Sequence, residues 1–305
     1  MRLGIIGHSL IDLRQKLFCD ELRRQGIDVL EIYPAVWYKQ KRDGGFHIGG
    51  GMNIRDYCFM EDAFLAIKKF KPDIIYSMSE MWQYQSVVSY RWAKELNVPL
   101  VYFVWENIRP VQVPSDVAII AGNSEAAAIH HTDYILPQVG IDPYLFNFIP
   151  GIEKEYDFVF MGRNAPEKGV EYIREVLKEL NVKMLWRQQF LEYTQIPIFL
   201  NRARCQICYS QDTRFWKEQA GSYSNVEALF CGLSVITSDS AAIVEWLKGC
   251  PGVIFVPQKD VDALRDAMKD GGKLAPPEAR EWVIKRYSNK VVAGKLIKIL
   301  EEVIR

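Results

Sequence analysis

The chain lacks net charge: 38 lysines and arginines balance 38 aspartates and glutamates over 305 residues. A dedicated nucleic-acid binder carries an excess of cations, so this balance argues against one, although a local basic patch can hide in a neutral total. No apolar run reaches the roughly 18 residues of a membrane span. The opening MRLGIIGHSLIDLRQ turns amphipathic too early for a secretory signal, and a cytoplasmic protein is the expectation. Disulfides are not expected either. Cys19, Cys58, Cys205, Cys208, Cys231 and Cys250 are scattered in apolar surroundings, where reduced, buried thiols reside. Cys205 and Cys208 have the spacing of half a zinc site, but no second Cys or His pair follows at a suitable distance, so no metal is expected there. A repeat with a period of roughly 20 to 50 residues is also missing, which excludes solenoids and propellers.

What the chain does have is a globular composition, 49% hydrophobic and 25% charged. Its length is generous for one core and comfortable for two domains of about 150 residues. Apolar strand segments alternate with amphipathic helical ones from the start. LGIIG, a helix from Leu13 to Gln25 closed by Gly26, and IDVLEIY form a βαβ unit. PDIIYS, a helix from about Met81 to Leu96, VPLVYFV, DVAIIAG, a helix after Asn123 and DYILP continue it. Such alternation predicts a parallel sheet with helices on both faces. Trp37 to Asn53, with Gly44, Gly45, Gly49, Gly50 and Gly51, interrupts the pattern and predicts a mobile loop. Periodicity lapses again around Pro143 to Glu155, the expected linker. A second series follows: YDFVFMG, a helix from Pro166 to Leu180, VKMLWR, CQICYS, a helix around Glu227, SVITS, a helix from Ala241 to Leu247 and GVIFVP. The expectation is therefore two tandem doubly wound, Rossmann-like α/β domains, 1–150 and 151–305, facing an interdomain cleft. The last helix is placed to pack back on the first domain. Ligands of such sheets bind at the carboxyl ends of the strands.

The segment YDFVFMGRNAPEKG carries most chemistry. A strand ends in Gly162-Arg163, and a helix is expected to open at Pro166, with Lys168 in its first turn. Unpaired amides there favour an anion, and Arg163 and Lys168 add two full charges, so a diphosphate suits the place. An ordinary corner with solvated cations is the alternative. Farther on, FWKEQAGSYSNVEALFCG brackets a loop with two acids, Glu218 and Glu227. Ser224 and Glu227 have the spacing of a capping box. Equally, a loop of small residues such as Gly221 and Ser222 brings amides close to a ligand, and an acid at a helix mouth can accept two hydrogen bonds from a vicinal diol.

DIIYSMSE, VPLVYFVWEN, DVAIIAGNSEAA, ILPQVGIDPYLF, FMGRNAPEKGV, FWKEQAG, VEALFCGLSVITSDS and VIFVPQKDVDAL, in this order, resemble a family-4 glycosyltransferase of the GT-B fold. The resemblance covers most of the chain. It implies a retaining enzyme using a nucleotide-diphosphate sugar, with Arg163 and Lys168 on the donor diphosphate, Glu218 on the sugar hydroxyls and Glu227 on the ribose. Gly162, Gly221, Ser222 and Ser240 join the donor side by the same resemblance, and Ser240 is equally explained as a helix N-cap.

Two departures qualify it. Eight residues separate Glu218 from Glu227 where the family has seven, and Trp105 stands where many relatives place a histidine. Trp105 and Glu106, with His8 and Ser9 after the first strand, are candidates for the acceptor side or cleft; packing roles explain Trp105 and His8 as well. UDP, GDP and ADP sugars are not distinguished. No cofactor or metal is expected to be required, and the acceptor is a glycan, lipid or protein. Lys39, Lys41 and Arg42, or Lys68, Lys69 and Lys71, offer a patch for peripheral membrane contact. A catalytically inactive sugar-binding protein and a sugar-nucleotide epimerase remain alternatives on the same architecture.

Overall fold

A computed structural model describes residues 1–7, 13–32, 63–78, 84–189, 191–219, 223–270 and 272–305. His8, Ser9, Gly221, Ser222 and the Trp37 to Asn53 segment lie outside the described residues, as do Lys39, Lys41 and Arg42. The chain divides into two compact units, Met1–Gly140 with Val292–Arg305, and Ile141–Val291.

The first unit runs β1 (Arg2–Ile6), α1 (Leu13–Arg24), β2 (Asp28–Ile32), α2 (Ala63–Phe70), β3 (Ile74–Ser77), α3 (Tyr84–Leu96), β4 (Leu100–Val104), β5 (Ala118–Ala121) and α4 (Ser124–His130). Its strands pair in parallel in the order β2-β1-β3-β4-β5. β1, β3 and β4 bury nearly every side chain, as strands covered on both faces do. Ile6, Ile67, Ile75, Leu100 and Tyr102 belong to one packed cluster of this unit. DYILP does not become a strand of its own. It contributes one bridge, Ala121 to Ile135, because two backbone bonds to Ala121 complete its pairing before the chain turns away.

The second unit runs β6 (Tyr156–Phe160), α5 (Val170–Leu177), β7 (Met184–Trp186), α6 (Ile196–Asn201), β8 (Ala203–Cys208), α7 (Tyr223–Phe230), β9 (Ser234–Ser238), α8 (Ala241–Leu247), β10 (Val253–Val256), α9 (Val261–Met268) and α10 (Pro277–Tyr287). The last helix, α11 (Asn289–Ile304), begins here and continues into the first unit. The parallel order is β10-β9-β8-β6-β7. Each sheet thus has its first two strands swapped relative to chain order, and in the second sheet the direction of winding reverses between β6 and β8. Doubly wound sheets bind ligands outside the carboxyl ends of the strands at such a point.

Three local expectations need correction. The helix expected from Pro166 to Leu180 is a tight 3-10 turn, Pro166–Lys168, followed by α5 from Val170 to Leu177. Gly169 adopts a left-handed conformation (φ 65°) that ends the first piece and starts the second. The capping box fails because Ser224 is the second residue inside α7, not the residue ahead of it. Ser240 does occupy the N-cap position of α8, but its hydroxyl makes no capping bond.

Candidate active site

β6 ends at Phe160 and runs through Gly162 into the 3-10 turn; β8 ends at Cys208 and runs through Tyr209 into the loop carrying Glu218. These two connections leave neighbouring strands at the reversal point, and they are locked together. Gln211 N–H donates to Glu167 O at 2.9 Å, joining one loop to the other. Gly169 is pressed against the chain leaving β8: a Cβ there would lie 2.0 Å from the Tyr209 carbonyl oxygen. Only glycine tolerates both that approach and the left-handed backbone.

This junction brings Lys168 onto Glu218. The ammonium donates to Glu218 Oε2 at 2.7 Å, with the two side chains 16% and 11% exposed. Ser210 Oγ donates to the same oxygen at 2.7 Å, and Lys168 Nζ stands 4.5 Å from the centre of the Trp216 ring. Lys168 is therefore held by a carboxylate and an aromatic face, an arrangement that fixes both charges away from bulk water. Arg163 behaves differently. Its side chain is 67% exposed and its Nη2 donates to Glu167 Oε1 at 3.1 Å, an i,i+4 surface pair. The two cations of the sequence motif are thus bound by two different acids.

Glu218 is held by its backbone too, because its N–H donates to Asp212 Oδ1 at 3.0 Å. Ser240 Oγ donates to the same Oδ1 at 3.0 Å, which explains why that hydroxyl does not cap α8. Glu227 is buried in α7, 3% exposed. Arg187, at the end of β7, feels its charge: burial lowers the guanidinium from its ordinary value, and Glu227 opposes that shift. Arg187 also lines a cavity of about 540 Å³ with Gly162, Asn164, Trp186 and Gln188, at the carboxyl ends of β6 and β7.

Sequence reasoning missed Asp212, Trp216, Glu167 and Arg187. Glu167 and Arg187 had a legible signal, since one lies inside the cationic motif and the other ends the strand beside it. Asp212 and Trp216 did not, because their roles depend on how the loop folds back.

In the first unit, Trp105 and Glu106 follow β4. Trp105 packs edge-on to Phe103 at 4.6 Å, and a Cβ at Gly122 would lie 3.0 Å from its ring. Glu106 Oε1 accepts from the amides of Ile108 at 2.8 Å and Arg109 at 3.2 Å, so the carboxylate closes its own turn. His130 Nε2 donates to Glu106 O at 3.1 Å. Elsewhere, Cys205 and Cys208 sit three residues apart on β8, where side chains alternate faces, so the pair cannot grip one ion from a regular strand. Asp260 caps α9 by accepting from Ala263 N–H at 2.9 Å.

No protein-family model matches the chain, and no curated protein matches it by sequence. Solved structures do match by shape. HepE of Anabaena, in complex with UDP-glucose, superposes with a TM-score of 0.66 at 12% identity, over 99% of this chain and 100% of HepE. Sucrose-phosphate synthase from Thermosynechococcus elongatus superposes with a TM-score of 0.71 at 12% identity, over 99% of each chain. The chain has the GT-B fold. UDP-GlcNAc 2-epimerase from Methanocaldococcus jannaschii shares it less closely, with a TM-score of 0.54 at 14% identity over 99% of this chain and 100% of that one. Architecture alone therefore does not select the reaction.

Proposed function

We propose that this protein is a retaining glycosyltransferase that moves a sugar from a nucleotide-diphosphate donor to an acceptor hydroxyl. The observation carrying this reading is the Lys168–Glu218 pair at the reversal point of the second sheet. A diphosphate sugar offers anionic oxygens to the ammonium and hydroxyl donors to the carboxylate. The same two groups that neutralise one another in the free protein can therefore divide between the halves of one ligand. HepE, similar in shape, binds UDP-glucose.

In this reading the bond from the anomeric carbon to the phosphate oxygen breaks, its electron pair remains on the diphosphate, and the acceptor oxygen bonds the same carbon from the same face while its proton passes to the departing phosphate oxygen. Positive charge develops on the sugar ring and negative charge on the leaving group. Lys168, with Arg163 released from Glu167, stabilises that leaving group without a metal, an effect that acts most strongly where water is excluded. Glu227 takes the ribose, and the cavity beside Trp186 and Arg187 takes the base. The second unit is the donor side; the first, with Trp105 and Glu106, is the acceptor side.

Incubation with UDP-, GDP- and ADP-sugars, followed by chromatography of nucleotide and sugar and by NMR of the new anomeric centre, tests this. Nucleotide release that survives EDTA, with the donor's anomeric configuration kept in the product, is expected. An altered sugar still attached to its nucleotide would establish an epimerase instead. Lys168→Ala should weaken donor binding and slow transfer, and unchanged donor affinity would remove Lys168 from the site.

A further inference from the structure

Asp212 gathers three loops that leave the carboxyl ends of three adjacent strands. Its Oδ1 accepts from the Glu218 amide and from the Ser240 hydroxyl, each at 3.0 Å, which ties the β8–α7 loop to the β9–α8 turn. Its Oδ2 accepts from Gln258 Nε2 at 3.4 Å, and its own amide donates back to Gln258 Oε1, which draws in the residues after β10. Gln258 N–H in turn donates to Asp239 Oδ1 at 3.1 Å, beside Ser240. One half-buried carboxylate is thereby the common acceptor for the candidate sugar-binding acid, for the serine opposite it and for the glutamine behind both.

The stretch from Asp212 to Glu218 is closed by hydrogen bonds of its own. Between Asp212 and Glu218 the chain doubles back: Thr213 N–H donates to Trp216 O at 2.6 Å, and Thr213 Oγ1 accepts from Phe215 N–H at 3.2 Å and Trp216 N–H at 3.0 Å. This turn places the Trp216 ring against the Lys168 ammonium, and two residues on the Glu218 carboxylate meets the same ammonium. With one end of the turn tied to Asp212, the position of the Glu218 backbone depends on that carboxylate. A side chain that must meet a ligand within a few tenths of an ångström needs such support.

We propose that Asp212 is a positioning residue of the donor site: through the Glu218 amide and the Ser240 hydroxyl it holds the β8–α7 loop in register with the β9–α8 turn. The inference rests on the donor reading given above, and its role is exerted through Glu218 and Ser240, not by touching substrate.

Two measurements on the full chain test it. The first uses no ligand. In Asp212→Ala, hydrogen exchange of the amides from 213 to 219 is expected to speed up by about tenfold or more while the melting temperature and the exchange of the sheet strands hold. Unchanged exchange in that loop overturns the proposal. The second uses UDP-glucose as donor probe and UDP as the control without the transferred glucose. Asp212→Ala should lower kcat for UDP release about tenfold, the worth of one charge-assisted hydrogen bond. The dissociation constant of UDP should stay within about twofold, because UDP lacks the sugar that Glu218 would hold. Asp212→Asn keeps an oxygen that accepts from both Glu218 and Ser240, so it should recover most of the rate. Parallel loss of UDP affinity and rate in both variants would mark a general structural role and overturn the proposal. If the unsubstituted protein neither binds UDP nor consumes UDP-glucose, the donor reading for that probe falls, while the exchange measurement still decides the role of Asp212.

Discussion

At the scale of single residues, two buried or half-buried cations have different partners. Lys168 has a carboxylate; removing it leaves Glu218 with an uncompensated charge in a site nearly shut to water. Lys168→Met or Glu218→Gln alone should each cost about 3 kcal/mol of unfolding free energy, and the double variant should cost less than the sum, as broken buried pairs do. A urea-denaturation double-mutant cycle reads this, and strict additivity would show that the pair contributes nothing to folding. Lys154 donates to Asn201 Oδ1 at 3.4 Å and stands 5.4 Å from the centre of the Phe148 ring, and among the described residues no carboxylate pairs with it. Burial lowers its ammonium from the ordinary value of 10.5. Its folded-state value lies below that of the unfolded chain, so the charged form favours unfolding; the penalty is full below the folded value and fades as the pH climbs through it toward 10.5. Relative to Lys154→Met, the unsubstituted protein should therefore gain stability as the pH is raised from about 7 to about 10. Melting curves of both proteins across that range check the sign.

At the scale of elements, the cationic motif shows where periodicity misleads. Pro166, Glu167 and Lys168 have good credentials for a helix start, and Gly169 after them was read as part of the same helix. The backbone instead breaks at Gly169, where the chain leaving β8 passes so close that the Tyr209 carbonyl occupies the space of a Cβ. Lys168, just ahead of the break, meets Glu218 of the β8–α7 loop, whereas Arg163 meets Glu167. Gly169→Ala should destabilise the protein by about 2 kcal/mol or more, from backbone strain and overpacking together. It should also weaken nucleotide binding out of proportion to a surface substitution such as Glu171→Ala. Calorimetric melting with and without UDP would reveal either effect, and a neutral Gly169→Ala would refute the close approach.

At the scale of the whole molecule, both units are closed around sheets of identical winding, and each hides thiols. Burial drives the thiols of Cys205 and Cys250 up to about 12, and those of Cys19 and Cys231 higher still. A thiolate is the reactive species, so these four should resist Ellman's reagent in the native state and react together with unfolding of the unit that holds them. Cys19 reports the first unit and the other three the second. Fast native-state labelling of any of the four, located by peptide mapping, would contradict the packing described.

The alternation of apolar strands with amphipathic helices was enough to read two parallel α/β domains, because a strand buried on both faces and a helix with one apolar stripe each leave a local signature. The same reasoning picked out Lys168, Glu218 and Glu227 as chemically able residues near strand ends. It did not pair Lys168 with Glu218 across a separation of 50 residues, assign Arg163 to Glu167, or find Asp212. Those outcomes depend on the reversal between β6 and β8 and on a loop folding back upon itself. Sequence determined what each segment is able to bury and which groups can carry charge. Tertiary structure alone decided which charge meets which, because ion pairs and hydrogen bonds act over a few ångströms of space and take no account of distance along the chain.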